Sequence, residues 1–154
     1  MGRFHFFQRV GMLPLLCAGA VALLVAVHDA AARDEISGPV AATVLRVIDG
    51  DTFVAEAHVW PGETVQVSVR IRGIDAPELH SRCPRERLAA AEARDALVAL
   101  LDRRKVRITN IGGGKYYGRV LADVATPDGE VAPVLLSLAL VRHYSGGHRQ
   151  PFCG

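Results

Sequence analysis

From residue 40 to residue 71, apolar positions either run together or recur at every second place, the spacing of β-strands. Residues 40–48 are β-branched and apolar and end at Asp49-Gly50, a pair that marks a hairpin when it stands between apolar runs. Residues 52–59 resume as a second strand, and Trp60-Pro61-Gly62-Glu63 makes the next turn. Residues 64–71 alternate most cleanly. Val65, Val67, Val69 and Ile71 lie on one face, while Gln66, Ser68 and Arg70, continued by Arg72, lie on the other. The apolar face is the expected core side, so Arg70 is expected to point away from it. At residues 84–101 the period lengthens. Leu88, Ala91, Leu97, Leu100 and Leu101 form a stripe at helical spacing, and Pro84 suits a first helical turn. A charged link over 102–105 leads to a fourth strand at 106–111. Gly112-Gly113-Gly114 follows as a flexible loop, and residues 119–124 form a fifth strand. Asp128-Gly129 turns the chain into a second helix over 130–142, with Pro133 tolerated in its first turn. An irregular tail, residues 144–154, completes the chain.

Five short strands with one helix after the third and another after the fifth predict an α+β domain. The architecture expected is a five-stranded Greek-key β-barrel, the OB fold, with two or three helices, over residues 40–154. No repeat, low-complexity segment or second domain is visible.

The first third of the chain reads differently. Arg3 and Arg9 precede an apolar run from Gly11 to Val27, and Ala30-Ala31-Ala32 offers small residues for cleavage. Residues 1–32 therefore read as a signal peptide, with residues 33–39 a flexible polar lead-in. The alternative is an uncleaved membrane anchor, since a run of about 17 residues is at the short limit for spanning a bilayer. Periplasmic or secreted location is the expectation. The leader holds two of the chain's 18 basic and one of its 16 acidic residues, so the mature chain is close to neutral. A nucleic-acid site must then be a local patch. Cys83 and Cys153 remain after cleavage, and in an oxidising compartment such a pair most simply forms a disulfide. Closing a loop of about 70 residues would add ~4 kcal/mol, as an upper figure. A zinc site using these cysteines with His80 and His148 is the competing reading.

Chemistry concentrates in Val69-Arg70-Ile71-Arg72-Gly73-Ile74-Asp75-Ala76-Pro77-Glu78. Arginines on one strand face and two carboxylates just beyond it suit a phosphate and a metal ion. A solvated loop with a surface salt bridge is the plainer alternative. Arg72 reads as a solvated or packing residue, and His58, His80, His143 and His148 as surface or locally hydrogen-bonded groups.

Two further segments change the balance: Val47-Ile48-Asp49-Gly50-Asp51-Thr52 and Lys115-Tyr116-Tyr117-Gly118-Arg119. Taken with the stretch around Arg70, they resemble the staphylococcal nuclease (thermonuclease) family in order and spacing, over most of residues 40–145. The resemblance implies a calcium-dependent endonuclease that hydrolyses phosphodiester bonds of DNA and/or RNA, and the leader adds export. It implies Asp51 and Asp75 as calcium carboxylates and the Ala76 backbone carbonyl as a third ligand. It implies Glu78 as the general base, and Arg70 and Arg119 as the phosphate-holding arginines. Tyr117 matches a tyrosine near the substrate phosphate. Tyr116 stands where the family has a lysine, which bears on substrate affinity. Tyr144 lies near the place of further substrate-pocket tyrosines.

These roles suit the chemistry. Calcium takes hard oxygen ligands in irregular geometry, guanidinium groups offer paired donors to phosphate, and a carboxylate beside the ion can accept a proton from water. The second functional class is a non-catalytic nucleic-acid- or ligand-binding domain on the same barrel. Nucleic acid is the expected partner, with a monomer and no obligate protein partner. A membrane enters only if the leader stays attached.

Overall fold

The structure, a computed structural model, describes residues 35–101, 105–114 and 118–153. The expected signal peptide, Tyr116 and Tyr117 lie outside the described residues.

Three long strands follow one another: β2 (Val40–Val47), β3 (Thr52–Trp60) and β4 (Glu63–Ile71), after a short β1 (Glu35–Ile36). Then come β5 (Ile74–Asp75), α1 (Pro84–Leu101), β6 (Lys105–Gly113), β7 (Arg119–Thr126), β8 (Gly129–Glu130), α2 (Val131–Ser137) and β9 (Arg142–His143). Antiparallel pairing joins β6 to β2, β2 to β3 and β3 to β4. β4 then pairs with β7 in parallel, and β7 returns antiparallel to β6. The circle β2-β3-β4-β7-β6 is thereby closed into the five-stranded barrel expected from the strand count, with its one parallel seam where the α1 crossover makes it necessary.

The barrel is filled by Phe53, Val69, Ile71, Val106, Ile108 and Val124, and Leu97, Leu101 and Leu135 close it from the helices. Val69 and Ile71 are buried as the alternation requires, with Arg70 on the opposite face. At the other end of β4 the alternation does not predict burial. Val65 is 51% exposed, because the outer half of the β3–β4 hairpin runs past the barrel along with Val59 and Trp60.

Helix α1 has the predicted bounds and buries Leu97 and Leu101 of the predicted stripe, but its first half turns a different face to the core. Leu88, expected in the stripe, is 68% exposed, and Ala90, Ala93, Leu97 and Leu101 are buried. The alanines let the helix backbone come close to the β2–β3 turn. A Cβ placed on Gly50 would lie 2.6 Å from the Ala93 Cβ and 2.9 Å from the Ala76 Cβ. Gly50→Ala is therefore expected to destabilise the fold by about 1–3 kcal/mol through overpacking. Urea unfolding would check this, and an unchanged midpoint would contradict it.

Three segments differ from the expectation. The lead-in over 33–39 is structured where it is described. Glu35 and Ile36 pair with Gly112 and Ile111 of β6, which extends beyond β2 and offers a free edge. The three-glycine segment is only partly a loop, because Gly112 and Gly113 continue β6 opposite Leu121 and Val120. The second helix ends at Ser137 rather than at residue 142. Ala139 takes φ of 57°, its N–H donates to the Leu136 carbonyl, and the Leu140 N–H donates to the Leu135 carbonyl. This is a Schellman C-terminus with alanine where glycine is usual, so the sequence carries no glycine signal for it. The chain released there supplies β9, which pairs with β5.

Candidate active site

The site is assembled at one end of the barrel from the ends of β3, β4 and β7, the segment after β5, and the C-terminal tail. In the β2–β3 turn the Asp49 carboxylate accepts from the Asp51 N–H at 3.0 Å, while the Ile48 and Asp49 N–H groups donate to the Thr52 carbonyl. This presents Asp51 inward, where it is 1% exposed. Gly73, at φ 83°, turns the chain sharply after β4, a conformation that costs glycine little. The chain then doubles back as β5, whose Asp75 pairs in register with Arg142 of β9. Arg72 braces this corner. Its backbone N–H donates to the Ala122 carbonyl at 2.8 Å, and its guanidinium donates to the carbonyls of Asn110 and Leu121 and faces Glu35 and Asp123. It is thus a structural arginine rather than a solvated one.

Arg70 joins the two buried carboxylates. Nη1 donates to Asp51 Oδ1 at 2.7 Å and Nη2 to Asp75 Oδ1 at 2.9 Å. The second Asp51 oxygen accepts from the Ala76 N–H at 2.9 Å. Thr52, opposite Arg70 in the β3–β4 register, donates its hydroxyl to Asp51 Oδ1 at 2.7 Å and accepts from Arg119 Nη2 at 2.9 Å. Arg119 stands opposite Ser68 across the parallel seam, two places along the strand from Arg70 on the same face. Its buried Nε has no acceptor among the described residues. Glu78, with a side chain 56% exposed, lies at the mouth of the site.

Arg149, a residue the sequence did not single out, completes the arrangement. Its Nη2 lies 2.5 Å from Asp75 Oδ1 and 3.3 Å from the Ala76 carbonyl oxygen, and its Nη1 donates to Glu78 Oε1. A polar pocket of about 290 Å³ is lined by Asp49, Asp51, Arg70, Ala76, Pro77, Glu78, Arg119 and Arg149. An adjoining groove of about 470 Å³ passes Arg70, Arg119, Leu121, Tyr144 and Arg149. A third hollow, about 580 Å³, lies beside Arg70, Ile74, His143 and Tyr144. Arg70 borders all three.

Burial is the largest influence on Asp51 and raises its carboxyl from 3.8 to about 6, with Asp49 adding to the rise. The Arg70 charge and the hydrogen bonds from Thr52 and Ala76 oppose it without cancelling it. The folded chain then binds more protons than the unfolded chain in that window. Without metal, the contribution of Asp51 to stability should therefore fall as pH rises from about 4 to about 6. Chemical unfolding at a series of pH values in chelator should show a slope that flattens in Asp51→Asn. An Asp51→Asn protein with the same slope would contradict the assignment.

The two cysteines form a disulfide, with a Cα–Cα distance of 6.5 Å, so the zinc alternative lapses. It ties the tail to the residue before α1. Cys83→Ser should lower stability by up to about 4 kcal/mol in the chain-entropy account without removing any group that lines the pocket. Denaturation with and without reductant checks this, because reductant should affect only the wild type.

A family model described as staphylococcal nuclease homologue matches residues 68–149, more than half of the chain. The chain belongs to that family. The matched span of this staphylococcal nuclease homologue includes Arg70, Asp75, Glu78, Arg119 and Arg149, while Asp51 and Thr52 lie just before it. No curated protein matches the chain.

Of the side chains expected at the site, Asp51, Arg70, Glu78 and Arg119 border one pocket, together with Ala76, and Asp75 lies just behind it, held by Arg70 and Arg149. Sequence reading missed two contributors. Thr52 closes the Asp49-Gly50-Asp51-Thr52 segment and joins Asp51 to Arg119. Arg149 stood in the tail without any motif. Among the described residues, no three His, Cys, Asp or Glu side chains are grouped closely enough to hold a metal by themselves. The donor set is instead two carboxylates and a backbone carbonyl, with Glu78 at the rim. A cationic group, the Arg149 guanidinium, stands against the Asp75, Ala76 and Glu78 oxygens. All-oxygen donors that already attract a positive group fit a hard divalent cation such as calcium.

Proposed function

We propose that this family member is an exported, calcium-dependent endonuclease that hydrolyses phosphodiester bonds of DNA or RNA. The observation that carries the reading is the pair of buried carboxylates, Asp51 and Asp75, bridged by Arg70 beside a pocket that Asp51, Arg70, Glu78 and Arg119 border. Asp51, Asp75 and the Ala76 carbonyl would hold the ion, with Glu78 beside it. When bound, the ion supplies Lewis acidity at a phosphate oxygen and neutralises charge that builds there.

The chain's own residues supply the rest. Arg119, held by Thr52 with its Nε uncommitted to any described residue, can direct donors at a phosphate oxygen. Arg70 is fixed by two carboxylates and presents its remaining surface to the same space. Together they favour the pentacoordinate phosphorus over the tetrahedral ground state. Glu78 is exposed enough to meet water and can accept its proton as the oxygen attacks phosphorus. The P–O bond to the leaving oxygen breaks, and that oxygen takes a proton from solvent. The groove past Tyr144 provides room for the nucleic-acid chain.

Export rests on the leader-like composition of residues 1–32. N-terminal sequencing of the exported protein is expected to begin at Arg33, and a start at Met1 would contradict it. The activity is tested by incubating purified protein with DNA and with RNA, first with calcium and then with chelator. Acid-soluble nucleotides released only with calcium support the reading. Nucleic-acid binding without cleavage, unchanged by calcium, would favour a binding domain instead.

A further inference from the structure

Arg149 occupies an unusual place for a tail residue. It reaches 71 residues back along the chain to Glu78 and also meets two of the oxygens that a divalent cation would use, on Asp75 and Ala76. Its guanidinium donates to Glu78, lies 2.5 Å from Asp75 Oδ1, and lies 3.3 Å from the Ala76 carbonyl. The Asp75 side chain is 7% exposed, so its charge needs a partner in the folded chain, and Arg70 satisfies only part of that need.

The tail is fastened on both sides of Arg149. Upstream, β9 pairs with β5, the Tyr144 N–H donates to the Gly73 carbonyl, and the Tyr144 hydroxyl donates to the Gly147 carbonyl. Downstream, the Arg142 guanidinium lies 4.0 Å from the Phe152 ring centroid and donates to the Pro151 carbonyl. Cys153 then closes the disulfide to Cys83. With both flanks anchored, the guanidinium is delivered to the carboxylates at high effective concentration.

We propose that Arg149 is a built-in competitor for the divalent cation, a tethered positive charge that sets the affinity of the Asp51–Asp75 site. A guanidinium and a metal ion cannot share the same face of Asp75 and the same Ala76 oxygen. Cation binding therefore requires Arg149 to leave, and the apparent affinity is the intrinsic one reduced by the fraction of molecules in which Arg149 has left. The site then stays charge-balanced at low calcium and fills only where calcium is plentiful. The proposal rests on the reading of Asp51, Asp75 and Ala76 as the cation site.

The test is calcium binding without substrate, measured by titration calorimetry on the full exported chain with its disulfide intact. Arg149→Ala removes the charge and the fork, while Arg149→Gln keeps a shorter hydrogen-bonding side chain without charge. Far-ultraviolet circular dichroism and thermal melts with and without calcium establish that each variant is folded. Both variants are expected to bind calcium about tenfold more tightly than wild type, an amount that corresponds to Arg149 being seated in roughly nine molecules of ten. The calcium-induced rise in melting temperature should grow in parallel. If wild type and folded variants bind equally, or the variants bind more weakly, the proposal fails while the cation site stands. If none of the three binds calcium, both the proposal and the cation-site reading fail.

Discussion

Arg119→Gly is expected to lower the rate of the proposed calcium-dependent cleavage by about 100- to 1,000-fold, the usual cost of losing one preorganised donor to developing charge. Fold stability should change little. Among the described residues the Arg119 side chain makes one hydrogen bond, to the Thr52 hydroxyl, and does not hold a buried carboxylate in place. Thr52 still donates to Asp51 when Arg119 is gone. The measurement is kcat/KM on a DNA substrate alongside a urea unfolding curve. A variant with near-full activity would remove Arg119 from the site, and a variant that unfolds would show that its role is structural.

The second arginine behaves differently. Arg70→Met should abolish cleavage and also destabilise the ion-free protein by about 3 kcal/mol, the lower end of the range for stripping one partner from a buried ion pair. Asp51 and Asp75 both lose the guanidinium that they share, in a place where neither carboxylate is well hydrated. The cost stays at the lower end because Arg149 still faces Asp75, and because Asp51 can take up a proton. Calcium should return part of the lost stability, since an ion replaces the missing charge. Unfolding curves in chelator and in calcium test this. An Arg70→Met protein as stable as wild type in chelator would show that the bridge between the aspartates carries little energy.

The contrast between these arginines comes from geometry that the sequence only half revealed. Alternation in β4 placed Arg70 on the face away from Val69 and Ile71, and three short motifs singled out Asp51, Asp75, Glu78 and Arg119. What the sequence does not contain is the distance between those motifs after folding. The β3–β4 register sets Thr52 opposite Arg70, and the parallel seam between β4 and β7 brings Arg119 to the same face. That seam depends on a crossover through α1, a long-range pairing that no local pattern encodes.

The same reason explains Arg149, whose partners Asp75 and Glu78 lie more than 70 residues earlier. Helix faces were less legible than helix bounds. The stripe that included Leu88 is the more hydrophobic choice, yet the helix packs through Ala90 and Ala93, because Gly50 and Ala76 leave room only for a close approach. The second helix is shorter than its pattern suggests because alanine, not glycine, takes the left-handed position at its end.

The central claim is that this pocket cuts nucleic acid with the help of calcium and Glu78. It is tested most directly by the rate of DNA and RNA cleavage over a calcium titration, with wild type and Glu78→Ser measured side by side. The expected result is cleavage by wild type that rises with calcium and disappears in chelator, with Glu78→Ser slower by about 100-fold or more at saturating calcium. Cleavage that ignores chelator, or a Glu78→Ser protein that cuts as fast as wild type, would contradict the account.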